Sequence, residues 1–153
     1  MSFNQAFTTH TPVPFPISGK ALIAVFWADV QIGIAGDVWY RETTDINTLQ
    51  RATTEIQSHF TYMSSFKASM VFIATWNDVA FYGADSQGRN KRNTFQVVLT
   101  TNGYVSFVIY NYNKIQWHTG TASGGNSSTG LGGTPAEVRL ELKMYWVNQY
   151  LCW

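Results

Sequence analysis

The sequence predicts an α+β domain, mainly antiparallel β-sheet of sandwich-like character with one amphipathic helix packed on it. Three observations lead there. Runs rich in β-branched and aromatic residues recur along the chain, as in "ALIAVFWADV", "DVWYRE" and "ASMVFIATWNDVAFYG". One segment carries helical periodicity: Ile46, Leu49, Ala52, Ile56 and Phe60 recur with polar residues between them. Asn102-Gly103 stands between two alternating runs, the pattern of a tight hairpin.

Length and charge narrow the class. A chain of 153 residues fits one domain and can bury roughly 70% of the surface that its unfolded form exposes. Ten basic and nine acidic side chains leave a formal charge of +1, and only the short "RNKR" patch at Arg89–Arg92 concentrates positive charge. Nucleic acid is therefore not an expected partner, since phosphate binding needs a concentrated basic surface. With 12% charged and 16% aromatic residues, aromatic rings must cover part of the surface as well as the core. No apolar run approaches the roughly 20 residues of a membrane span, and the first residues lack the basic and apolar regions of a signal peptide. The lone Cys152 has no partner for an internal disulfide, which leaves the redox compartment open.

Residues 1–19, with Pro12, Pro14 and Pro16, read as an extended leading segment before a domain over 20–137. The strands "ALIAVFWADV" and "DVWYRE" are joined by "QIGIAG", whose glycines allow a loop. Thr44 or Asp45 is expected to cap the helix, and His59 near its end would favour the helix dipole as a cation. Asn102 and Gly103 are read as a two-residue type I′ turn pairing Thr101 with Tyr104, Leu99 with Ser106 and Val97 with Val108. That register puts Phe95, Val97 and Leu99 on one face and Val98, Val105, Phe107 and Ile109 on the other. Both faces are apolar, so the hairpin is expected to be central and covered on both sides. The Gly/Ser-rich "GTASGGNSSTGLGGTP" reads as a surface loop, and Asn126 heads its sequon as the expected glycosylation site.

Two segments echo each other: Trp27-Ala28-Asp29 and Trp76-Asn77-Asp78. Alternation in a strand puts each tryptophan and its aspartate on one face. Such a pair suits sugar binding, with the ring on a C–H face and the carboxylate on hydroxyls. It equally suits a core tryptophan beside a strand-end acid that fixes the next turn, and Asp29 is assigned that structural role. Trp27, Asp29, Trp76, Asp78 and Trp117 are the candidate ligand contacts, and Trp39 joins the tryptophans of the carbohydrate-binding alternative. His10, His59 and His118 stand apart, without the spacing of a metal site, and Asp29 and Asp37 lack the neighbours of a calcium loop. No G-x-S-x-G elbow or phosphate loop is present. No catalytic residue, metal or cofactor is expected.

In order, "LIAVFWADV", "GDVWYRETTD", "LQRATTEI", "VFIATWNDVAFYG", "NTFQVVL", "FVIYNYNKIQWHTGTASGG" and "TGLGGTPAE" resemble the nidogen-like (NIDO) domain family, from about Phe3 to Glu137. The resemblance implies an extracellular, non-enzymatic module of mosaic matrix and membrane-tethered proteins, associated with cell-matrix adhesion. Its partners would be matrix proteins or, on the alternative carbohydrate-binding reading, glycans. The family pattern A-P-F-W-A-D, often with an acid two residues on, is met here with Val25 and Gln31, which weakens any metal reading.

After Glu137 the resemblance stops, and "VRLELKMYWVNQYLCW" reads as an atypical tail over 138–153. Val138-Arg139 could be the in-frame translation of a GT splice donor. The expectation is a domain truncated at both ends, with Leu140, Leu142, Met144 and Trp146 available to form a substitute strand over the exposed edge.

Overall fold

The computed structural model describes residues 22–141. In chain order they form β1 (Leu22–Trp27), β2 (Asp37–Thr43), α1 (Ile46–His59), β3 (Met70–Val79), β4 (Asn93–Thr101), β5 (Ser106–Ile115) and β6 (Glu137–Glu141). The α+β class is observed. One sheet has four strands in the order β2-β3-β4-β5, and β1 and β6 form a second, antiparallel pair. By packing, the described residues divide into two compact units, 22–38 with 76–95 and 112–141, and 39–75 with 96–111.

The second unit is built around α1. Asp45 is its N-cap, and the carboxylate accepts the Thr48 amide at 2.9 Å and the Thr48 hydroxyl at 2.9 Å. These bonds, the amide foremost, hold the Asp45 carboxyl below its usual range, and the Arg41 charge adds to them. The helix lays Ala52 against Val71 and Val98, with Leu49, Ile73 and Ile109 packed around them. One turn on, Ile56 meets Phe66 and Phe107, joined by Phe60, Met63 and Val105. Phe107 meets Phe66 edge-on, with ring centroids 5.0 Å apart. Val98, Val105, Phe107 and Ile109 thus form the helix-facing side, as alternation predicts. Burial of Ile56 and Phe66, each 2% exposed, contributes about 1.5–3 kcal/mol apiece.

The hairpin differs from its expected form in two respects. Its connection spans residues 102–105 rather than two residues, closed by a main-chain bond from the Asn102 amide to the Val105 carbonyl at 3.2 Å together with side-chain bonds. Asn102 Oδ1 accepts the amides of Tyr104 and Val105, while the Thr101 hydroxyl accepts the Gly103 amide and donates to the Val105 carbonyl. Gly103 has φ +89°, but Asn102 does not share the positive φ that a type I′ turn needs at both central residues. The hairpin is also not central throughout: β4 is an inner strand, whereas β5 lies at the sheet edge and exposes Asn111, Tyr112 and Asn113.

In the first unit, Leu22, Ile23, Ala24 and Val25 of β1 are buried. The rings of Phe26 and Phe95 stack at 5.1 Å, and Trp76 stacks on Phe95 at 5.1 Å. Asn93 is 0% exposed and bonded at both polar side-chain atoms: its amide donates to the Trp117 carbonyl and its oxygen accepts the amides of Gln116 and Trp117. A buried amide so bonded avoids the penalty of an unmet polar group. Asp78, at φ +51°, interrupts the regular path of β3, and a Cβ on Gly36 would sit 2.5 Å from the backbone of Asn77 and Asp78. Only glycine permits that approach.

β6 pairs with β1 in the register Leu22↔Glu141, Ile23↔Leu140 and Ala24↔Arg139, with an irregularity before Trp27↔Glu137. The strand therefore crosses the boundary expected between Glu137 and Val138. Leu142, Met144, Trp146, Cys152 and the leading segment with His10 lie outside the described residues.

Candidate functional site

β2 is the exposed edge of the four-stranded sheet, and its residues from Asp37 to Glu42 are all solvent-accessible. Trp39 is 65% exposed and Tyr40 75%. Alternation divides them. Tyr40 stacks on Phe72 of β3 with ring centroids 6.2 Å apart, whereas Trp39 shares a face with Arg41, two residues on.

Arg41 lines a cleft of about 440 Å³ between α1 and the sheet. Its floor is Ala52, Val71, Ile73, Val98 and Ile109, and its polar lining includes Arg51, Glu55, Gln96 and Asn111. The opening follows from Ala52, the smallest residue of the apolar stripe, where Leu49 and Ile56 stand on either side. Along the sheet, Asn111 donates to Gln96 Oε1 at 3.1 Å and Gln96 donates to the Thr75 hydroxyl at 2.7 Å. These bonds orient both amides. Neither Arg41 nor Arg51 makes an ion pair among the described residues, while Glu55 lies 3.6 Å from His59 Nδ1.

The expected ligand contacts differ in burial and in what they touch. Trp117 is 1% exposed, its indole N–H donates to the Val79 carbonyl at 3.0 Å, and its ring meets Phe26 edge-on. Being core, it presents no face to a ligand. Trp27 ends β1 and is half-buried, and Trp76 is half-buried against Phe95. Asp29 lies beyond the strand, where its carbonyl accepts the Tyr82 amide at 2.8 Å. Asp78 does not act with Trp76: its carboxylate meets Lys114 Nζ at 2.9 Å and its amide donates to the Thr94 hydroxyl. That ion pair is about half exposed at both ends, so its contribution is small. Among the described residues no group of three or more His, Cys, Asp or Glu is arranged to hold a metal, and no helix is long and apolar enough to cross a membrane.

Asn126 is exposed, and its side-chain oxygen accepts the amides of Ser128 and Thr129. The hydroxyls of Ser127 and Ser128 both donate to Asp85 Oδ2. Asp85 Oδ1 in turn accepts the amides of Gln87 and Gly88 at 2.9 Å. Together, the Gly88 amide and the Ser128 hydroxyl foremost, these donors hold the Asp85 carboxyl well below the usual range, at about 2.

The cleft residues were not among those singled out from sequence. Arg51 and Glu55 fall among the polar residues between the apolar positions of the helix, and Gln96 and Asn111 lie on strands with no spacing that marks a site. The usable signal was the lone alanine in an otherwise large apolar stripe, together with Trp39 and Arg41 in alternation on an edge strand.

Comparison with known proteins places the chain. It is 49% identical over 139 residues to alpha-tectorin of Mus musculus, covering 90% of this chain and 6% of that protein. It is 30% identical over 129 residues to nidogen of Drosophila melanogaster, covering 81% of this chain, and 36% identical over 110 residues to nidogen-1 of Mus musculus, covering 69%. The chain thus spans only a small part, 6% to 9%, of the length of these relatives. No solved structure matches it. The nidogen-like domain family model matches residues 1–140, and the chain belongs to that family.

Proposed function

We propose that this chain is a non-enzymatic extracellular interaction module, contributing to cell-matrix adhesion or matrix assembly within a larger mosaic protein. Its family supports the reading, as does its small share of long relatives. The observation that carries it is the edge strand β2, which offers backbone donors and acceptors beside exposed Val38, Trp39 and Tyr40. A partner strand can add to such an edge, with main-chain bonds supplying affinity and flanking side chains supplying choice. The test is recovery of secreted matrix proteins on the domain produced through a secretory pathway. Recovery should fall when Trp39→Asp and Tyr40→Asp are combined. Undiminished recovery would remove β2 as the contact, and turnover of an ester or glycoside abolished by Asp29→Asn would overturn the non-enzymatic reading.

A second reading, glycan binding through an exposed tryptophan, is favoured by one observation. A sugar platform must present a ring face to solvent, and Trp39 does so beside a polar-lined cleft.

A further inference from the structure

The cleft between α1 and the sheet has a composition that points to one ligand class. Its volume of about 440 Å³ falls within the roughly 300–1,000 Å³ usual for small-ligand sites. Its floor is apolar, which suits the C–H surface of a sugar ring better than a strongly hydrated ion. Above that floor stand two guanidinium groups, on Arg41 and Arg51, that are exposed and without ion pairs among the described residues. A guanidinium fork matches a carboxylate or sulfate through two parallel bonds. Asn111 gives one amide proton to Gln96 and has a second N–H and a carbonyl oxygen with which to meet sugar hydroxyls, and the Glu55 carboxylate can accept from hydroxyls as well. Trp39 shares the face of Arg41.

We propose that this cleft binds an acidic sugar residue, Arg41 and Arg51 taking its carboxylate or sulfate and Trp39 stacking on the adjoining ring. This deepens the glycan-binding reading and rests on it. Calorimetric titration of the intact chain with three hexasaccharides tests it: sulfated chondroitin, hyaluronan with carboxylates alone, and neutral maltohexaose. Binding is expected for one or both acidic probes, and which of them binds distinguishes sulfate from carboxylate. Arg41→Gln and Arg51→Gln should each weaken that binding roughly tenfold or more, the worth of a charge-assisted bond. Ala52→Leu, which fills the cleft without altering charge, should weaken it too, with circular dichroism confirming that each variant is folded. Equal binding of maltohexaose would overturn the acidic-sugar assignment while leaving the glycan reading intact. Equal binding of a polyglutamate peptide would reduce the site to charge attraction and overturn the sugar. Folded protein that binds none of the hexasaccharides would overturn both.

Discussion

At the scale of single residues, Asp85 joins two loops through four donors, from Gln87, Gly88, Ser127 and Ser128. Its folded value of about 2 lies below the roughly 3.9 of an unfolded aspartate. The ionised form is therefore the one that the fold favours. Its contribution is full above about pH 4 and is lost as pH falls through about 2. Protection of the Gln87 and Gly88 amides from hydrogen exchange is expected to fall across that window, and Asp85→Asn should remove the dependence. Protection unchanged down to pH 2 would count against the clamp. The same network bears on Asn126. A glycan on its nitrogen leaves the side-chain oxygen free to keep accepting the Ser128 and Thr129 amides, so the folded loop accommodates the modification. Yet the Ser128 hydroxyl, which the transferring enzyme must engage, is held by Asp85. Asn126 is expected to be glycosylated during secretion, before the loop closes, and to be a poor acceptor once folded. Mass spectrometry of secreted chain should find Asn126 modified, with Asp85→Asn raising its occupancy. Unmodified Asn126 in secreted wild-type chain would defeat the prediction.

At the scale of elements, the hairpin gives a clean measurement. A Cβ at Gly103 would meet nothing within 4 Å, so a substitution there is strained by its φ of +89° alone. Gly103→Val is expected to cost about 1–3 kcal/mol, and Gly103→Asn less, because asparagine tolerates positive φ. Urea midpoints would report the order. What was legible in the sequence follows from what each element depends on. Helix α1 was readable nearly to the residue, since its stripe and its Asp45 cap are local features. The faces of β4 and β5 were readable because alternation survives a shift of pairing by two residues. The turn itself was not, since the main-chain closure moves to Asn102 and Val105 and the Asn102 and Thr101 side chains add to it. Nor was the cleft, whose lining comes from β2, α1, β3, β4 and β5 and so belongs to no single segment.

At the scale of the whole molecule, β1 and β6 come from opposite ends of the described chain, and β6 is the pairing partner of β1. A chain ending at Ala136 would leave buried, apolar Leu22–Val25 with an open edge, the feature that recruits other chains. It is expected to elute as aggregate on size-exclusion chromatography where the chain with β6 does not. A monomer of the shortened chain would show that β6 is dispensable. The contact between Gly36 and the bend at Asp78 extends such dependence to heredity. Any side chain at position 36 collides with the backbone of Asn77 and Asp78 as the bend at Asp78 places it, so the two positions are linked across 42 residues of sequence (78 − 36). In a saturation library, variants at 36 should vanish singly and return in part only beside Asp78→Gly, which frees the bend. Those two codons would then be inherited as one trait.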